Sequence, residues 1–203
     1  MSRLSPTLLD SFHYYIGIED DDRAGIARGE LLARLRGEKT PPNEAMQKGI
    51  DFESDVWHRI GGTYHHEDHK DAYTQCVEGV ADLVCSCMPQ VHVERELDGV
   101  LLHGWIDALG PNVVYDIKTT SRYAIGKYLK NHQHRVYLYC LEGQAPFFSY
   151  LVSDFRNIYK EDYAWKPSYK DDLKSSIARW FDYLDTDLEM LEAWEQKQIR
   201  DAA

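Results

Sequence analysis

Two carboxylates and a lysine stand close together in the middle of the chain, in Gly104-Trp-Ile-Asp107 and Tyr115-Asp116-Ile117-Lys118-Thr119. Residues two apart in an extended strand point to one face, so Asp116 and Lys118 project together while Ile117 faces away. If the segments 100–109 and 113–120 pair around Gly110-Pro-Asn112, Asp107 falls opposite Asp116, and cross-strand partners share a face. Like charges this close need a cation or a raised pKa, and hard oxygen donors suit Mg2+ or Mn2+. A bound ion, or a pair of ions, would hold a phosphate oxygen and lower the pKa of a water, which is the chemistry of phosphodiester hydrolysis. Lys118 would position or deprotonate that water, or stabilise charge at phosphorus.

The elements that must position these groups are legible around them. Residues 43–60 read as a helix ended by Gly61-Gly62, and this helix carries Glu53 as a third carboxylate. Residues 72–88 read as a further helix before Pro89, with Cys85 and Cys87 at its end. Strand-like segments at 91–97, 100–109 and 113–120 are separated by the turn signals Asp98-Gly99 and Gly110-Pro-Asn112, giving an antiparallel meander. Residues 123–130 and 133–141 read as helical, and 147–152 and 158–165 as strands. Ser5-Pro6 starts a capped helix with apolar Leu8, Leu9, Phe12 and Tyr15, a lid or buttress for the core. A short helix is expected over 27–36, between exposed connections at Asp20-Asp21-Asp22 and residues 39–43. The chain finishes in one long or broken helix over 169–200, whose apolar face is Leu173, Ile177, Trp180, Leu184, Leu188, Leu191 and Trp194.

The 203 residues fit a single domain, 1–203, with the motif-bearing core at about 43–165 and the last helix at about 168–200. No segment has the length of a membrane span and the first residues lack a secretory pattern, so a soluble cytoplasmic protein is expected. Four cysteines are too few for a disulfide scaffold, and reduced structural thiols are expected. A formal charge of −11 runs against a nucleic-acid partner. Locally the balance reverses: residues 117–141 hold Lys118, Arg122, Lys127, Lys130, Arg135, His132 and His134 with only Asp116 just before them. That window makes a phosphate-binding rim beside the acids, and Tyr123, Tyr128 and Tyr137 are stacking or core residues within it.

The order Gly49-x-x-x-Glu53, Gly104-x-x-Asp107, Asp116-x-Lys118 and Gln133-x-x-x-Tyr137 over residues 49–141 resembles the PD-(D/E)XK nuclease superfamily, in its RecB-like and phage exonuclease branch. The opening Ser5-Pro-Thr-Leu-Leu-Asp-Ser-Phe12 is similar to the start of RecB-like members. The resemblance implies an α/β fold with a restriction-endonuclease-like core, a mixed central sheet flanked by helices, plus N-terminal helical and long C-terminal helical elements. It implies Glu53, Asp107, Asp116 and the backbone carbonyl of Ile117 as ligands to Mg2+ or Mn2+, and Lys118 as the catalytic lysine. Gln133 and Tyr137, four apart on one helix face, match the substrate-contacting pair. DNA is the implied partner, with exonuclease action in recombination, repair or phage DNA processing and a recombination or replication protein as a second partner. Many RecB-like members carry histidine where this chain has Glu53. The iron–sulfur branch requires three cysteines after the core, and no cysteine follows Cys140, so no cluster is expected. The alternative function is a nuclease-fold module that holds DNA ends without cutting.

Other chemistry-bearing residues have plainer readings. The run Tyr64-His65-His66-Glu67-Asp68-His69 resembles a zinc cluster but sits in a polar connection, where histidines are solvated. His58 lies one turn beyond Glu53 and reads as a helix-end histidine. Cys76, Cys85 and Cys87 read as buried thiols.

Overall fold

The computed structural model describes residues 1–64 and 71–202, so the histidine-rich run at 65–69 lies outside the described residues. The elements are β1 (Ser2–Leu4), α1 (Pro6–Ile16), α2 (Asp21–Arg36), α3 (Glu44–Ile60), α4 (Ala72–Val84), β2 (Met88–Leu97), β3 (Val100–Leu109), β4 (Val113–Thr119), α5 (Gln133–Cys140), β5 (Phe147–Ser153), β6 (Ile158–Ala164), α6 (Ser168–Leu184) and α7 (Leu188–Ala202). They form a mixed six-stranded sheet flanked by helices, the expected α/β architecture.

The sheet is built around β3. Along one edge β2 runs antiparallel to it from Met88↔Leu109 to Leu97↔Val100. The other edge is shared by two short partners: β1, parallel over Ser2↔Val100 to Leu4↔Leu102, and β4, antiparallel at Ala108↔Tyr115 and Leu109↔Val114. Between them residues 103–107 of β3 have no strand partner on that edge. From β4 the sheet continues through parallel β5 to antiparallel β6. The Asp98-Gly99 turn has φ of 51° and 80°, as a tight two-residue hairpin requires.

One core lies under α1, α2, α5, α6 and α7, where Leu4, Leu9, Phe12, Leu102, Ile106, Tyr150 and Trp180 are buried. A smaller one lies under α3 and α4, built on Phe52, Val56, Val77, Val80 and Val84 with Ile117 and Leu151 of the sheet. Phe52 and Val56 are four apart on α3, and burying side chains of this size contributes about 1.5–3 kcal/mol each, enough to fix which face of α3 meets the sheet. The helix is capped by the Asn43 side chain, which accepts the Met46 N–H at 2.9 Å. The first and last segments are knitted together. Arg3 N–H donates to Gln198 Oε1 at 2.6 Å and Gln198 Nε2 donates to the Arg3 carbonyl at 3.1 Å. Arg28 of α2 grips Asp187, before α7, at 2.8 Å.

Several elements depart from expectation. The acidic triplet is a helix start: Asp20 caps α2 through the Arg23 N–H, with Asp21 and Asp22 in its first turn, where acids oppose the helix dipole favourably. Helix α4 stops at Val84, and Met88 and Pro89 begin β2. Proline disfavours helical geometry in the residue before it and is tolerated near the start of an edge strand. Cys85 is exposed, while Cys76 is buried. Residues 123–130 form successive turns with N–H to C=O bonds three residues back, around Gly126 at φ 77°, in place of a helix. The C-terminal helix is broken at 185–187, where the Asp187 carboxylate accepts the Met190 N–H and starts α7. The break shifts the helical phase, so Met190, Ala193 and Trp194 are buried while Leu188 is 75% exposed. Strand β1 was not anticipated from three residues of mixed polarity.

Candidate active site

The site forms where the sheet opens. Continuing the β3–β4 ladder beyond Ala108↔Tyr115 would set Asp107 opposite Asp116 and Ile106 opposite Ile117, but the pairing ends first. Ile117 N–H instead donates to Asp107 Oδ2 at 2.8 Å, so a side-chain carboxylate replaces the neighbouring strand's carbonyl. Alternation fails in β3 at the same place. Ile106 packs in the core under α5 and Ala108 in the core under α3 and α4, although residues two apart in a regular strand share a face.

On β2 the partner position of Asp107 is Gln90, between the registered pairs Pro89↔Ala108 and Val91↔Ile106. Gln90 has φ 49°, in the left-handed region that a residue with a Cβ rarely enters, and is itself unpaired there. Its side-chain amide donates to Glu53 Oε1 at 3.1 Å, linking the β2 edge to α3.

Asp116 is 1% exposed. The Gln133 amide, from the first turn of α5, donates to its Oδ1. Lys118 Nζ lies 2.6 Å from its Oδ2, an ion pair at a buried carboxylate. Burial raises the Asp116 pKa, and the Lys118 ammonium opposes the rise. Burial and the Asp116 charge push Asp107 up to about 8. Burial, followed by Asp116, also raises Glu53. For Lys118 burial works against the charged form, but Asp116 and Asp107 together outweigh it and hold the ammonium above its ordinary range.

Glu53, Asp107 and Asp116 therefore repel one another electrostatically, and the Lys118 ammonium is the opposite charge that offsets them among the described residues. Among the described residues no three acids, histidines or cysteines already stand close enough to enclose an ion. Each carboxylate is instead engaged by the protein: Asp107 by Ile117, Asp116 by Lys118 and Gln133, Glu53 by Gln90. The donor set is nevertheless of hard oxygens whose charges repel one another, which is the chemistry that suits Mg2+ or Mn2+, so the residues present fit such an ion. Asp10 of α1 adds a fourth acid whose charge is felt at Asp116.

Tyr137 has a role inside the protein. It is 4% exposed, and its hydroxyl donates at 2.7 Å to the carbonyl of Trp105, in the stretch of β3 that lacks a strand partner. Gly104 makes this approach feasible, since a Cβ there would meet Tyr137 Cε1 at 2.6 Å and its oxygen at 2.8 Å. Gly49 serves α3 similarly, a Cβ there meeting Thr119 Oγ1 at 2.8 Å. Both motif glycines are close-approach positions.

The basic window divides. Arg122, Lys127 and Lys130 are exposed on the turns after β4. Arg135 is turned inward, with Nη1 3.9 Å from Asp172 and its guanidinium over the Tyr169 ring at 5.9 Å. His132 and His134 are buried and leave the rim. His132 bridges Asp10 Oδ1 at 2.8 Å and Ser176 Oγ at 2.9 Å. His134 stacks on Tyr163 with centroids 4.0 Å apart, and burial lowers its pKa to about 3. Tyr123 stacks on Tyr159 and Tyr128 on Tyr150, so these rings pack in the protein. The turn segment is anchored by buried Glu161, which accepts from Tyr123 Oη at 2.9 Å and Tyr128 N at 3.2 Å. His58 is exposed in the last turn of α3.

A groove of about 840 Å³ opens where β4 ends, lined by Lys48, Thr119, Thr120, Ser121, Phe155 and Arg156 among others. It begins one residue beyond Lys118, and the carboxylates are beside it, outside its lining. Sequence reasoning missed Gln90 and Asp10. Asp10 is one of many acids, and the only cue at Gln90 is its place after a proline.

No family model matches the chain, and no curated protein matches it. Solved structures do. A crystal structure described as a "putative exonuclease" from Eubacterium rectale superposes with TM-score 0.55 at 12% identity, covering 97% of this chain and 82% of that one. Another, of SSO0001, is matched at TM-score 0.42 and 15% identity over 88% of this chain and 76% of that one, a more distant likeness. The chain thus has the mixed-sheet α/β fold of the first of these proteins, with the acids and lysine at the opening between β3 and β4.

Proposed function

We propose that this chain is a Mg2+- or Mn2+-dependent nuclease that hydrolyses phosphodiester bonds in DNA. The observation that carries the reading is the convergence of Asp107, Asp116 and Lys118 at the break in the β3–β4 ladder, with Glu53 facing it from α3. Glu53, Asp107, Asp116 and the Ile117 carbonyl would hold the ion, which when bound supplies an acidified water and charge for the phosphate. Because its carboxylate neighbours hold the proton on Lys118, that residue acts as a cation toward the developing charge at phosphorus, rather than as a base, in the free protein. Gln133 orients Asp116 through its amide. Arg122, Lys127 and Lys130 offer the exposed positive charge that draws a phosphate backbone to an otherwise acidic protein. Exonuclease action is favoured over endonuclease by the description of the E. rectale protein.

The test is a time course on end-labelled linear and closed circular DNA, with and without Mg2+. Metal-dependent loss of the linear form alone supports an exonuclease, and loss of both an endonuclease. Asp116→Asn and Lys118→Ala should each lower the rate about 10²–10⁴-fold while the fold is retained. Full activity in both variants refutes the assignment. Metal-independent DNA binding with no cleavage would instead support a DNA-end-holding module.

A further inference from the structure

Gln90 combines three features that meet at one point. It stands at the position of β2 that faces Asp107, its backbone is left-handed at φ 49°, and its amide reaches across to Glu53 Oε1 at 3.1 Å. Each has a physical cost or consequence. A non-glycine residue in the left-handed region is strained, and such strain persists where the surroundings over-determine it. A residue in regular β conformation at 90 would pair with Asp107 and project its side chain from the sheet. The left-handed turn withdraws this pairing. It leaves Asp107 unregistered toward β2, as it already is toward β4, where its carboxylate takes the Ile117 N–H.

We infer that Gln90 is a positioning residue for the proposed metal site. Its amide holds one oxygen of Glu53 against the β2 edge, and its left-handed backbone keeps Asp107 out of the β2 ladder. The inference rests on the nuclease reading and extends it to a residue on an edge strand outside the acidic and lysine motifs. Glutamine suits the task because it donates without adding charge, whereas a further acid would deepen the repulsion among Glu53, Asp107 and Asp116 and a lysine would compete with the cation. Glu53 is a partly exposed side chain on α3 whose charged form a contact from Trp57 also favours, and an amide that fixes one carboxylate oxygen is the kind of outer contact that orients metal ligands.

The experiment is Mn2+ binding to the whole chain by calorimetry, alongside thermal melting and cleavage of linear DNA as a function of Mn2+ concentration. Gln90→Ala removes the amide, and Gln90→Gly removes it while relieving the backbone. Both should weaken Mn2+ binding about 10- to 100-fold and shift half-maximal cleavage to correspondingly higher metal, with the rate at saturating Mn2+ much less affected. Gln90→Gly should melt no lower than the parent, which separates metal positioning from fold maintenance. Binding by both variants within twofold of the parent, or tighter, overturns the inference and leaves the nuclease reading standing. Failure of the parent chain to take up Mn2+ overturns both.

Discussion

Replacing Gly104 by alanine should damage the protein at a position where backbone conformation alone would favour alanine. Gly104 lies in β3 with ordinary extended φ, and exchange of glycine for alanine at such a site commonly stabilises by about 0.4–1 kcal/mol through the unfolded chain. Here the new Cβ would stand 2.6 Å from Tyr137 Cε1 and 2.8 Å from its oxygen. Tyr137 is buried on α5 and cannot swing to solvent, so the ring or the helix must move. Overpacking of this kind costs about 1–3 kcal/mol. Displacing the ring also breaks the 2.7 Å bond to the Trp105 carbonyl, and a buried group left unpaired costs about 1–3 kcal/mol. Net of the backbone gain, Gly104→Ala should lose about 1–5 kcal/mol. For a chain of this size that is roughly 2–20 °C of melting temperature. Urea denaturation monitored by circular dichroism measures it, and the mechanism is isolated by repeating the substitution in a Tyr137→Leu background, where neither clash nor hydrogen bond exists. There the alanine should cost less than about 1 kcal/mol, the difference being the coupling of two residues in contact. An equal cost in both backgrounds, or a cost below about 0.5 kcal/mol in the parent, would refute the close-approach argument.

Without metal, the Asp107 pKa of about 8 makes stability fall as pH rises: between about pH 4 and 8 the folded chain keeps a proton that the unfolded chain releases. The slope from this group is at most about 1.4 kcal/mol per pH unit. Asp107→Asn should flatten a melting-temperature profile over that window, and saturating Mn2+ should do the same. Asp187 has the opposite sign. Burial opposes its ionisation, but the Arg28 guanidinium outweighs this and holds its pKa below the usual range, so its contribution is present above about pH 4 and lost in acid. Asp187→Ala should cost about 2 kcal/mol in neutral urea titrations, from a lost cap and a lost charged hydrogen bond, and much less near pH 3. Gly49→Ala should impair cleavage by pushing α3, and with it Glu53, away from Thr119, and Thr119→Ala should restore it, as paired activity assays would show.

What the sequence disclosed follows from which interactions are local. Helix α3 was readable from Asn43 to Gly61 because cap, apolar spacing and terminator all lie within its own residues. The β2–β3–β4 meander was readable because Asp98-Gly99 and Gly110-Pro-Asn112 are turn chemistry. The mixed-sheet α/β fold followed from the order of the motifs. The opening of the sheet at Asp107 was not readable, since it depends on β1 and β4 sharing one edge of β3, a contact between residues about a hundred positions apart. For the same reason the inward turn of Arg135, His132 and His134 was hidden: their partners Asp172, Ser176 and Tyr163 come from α6 and β6. The placement of Tyr137 against Gly104 joins two motif residues whose spacing gave no sign that they touch.

The stitching of the first strand to the last helix also sets a schedule. Residues 2–4 leave the ribosome long before Gln198, and at about 5–20 residues per second the interval is roughly 10–40 s. In the later part of that interval Glu53, Asp107, Asp116 and Lys118 are all present on a chain whose β1 lacks the α7 clamp and, until residue 187, whose α2 lacks its Asp187 anchor. The first strand and α2 therefore take their closing contacts only after the acids and the lysine of the sheet opening have all been made.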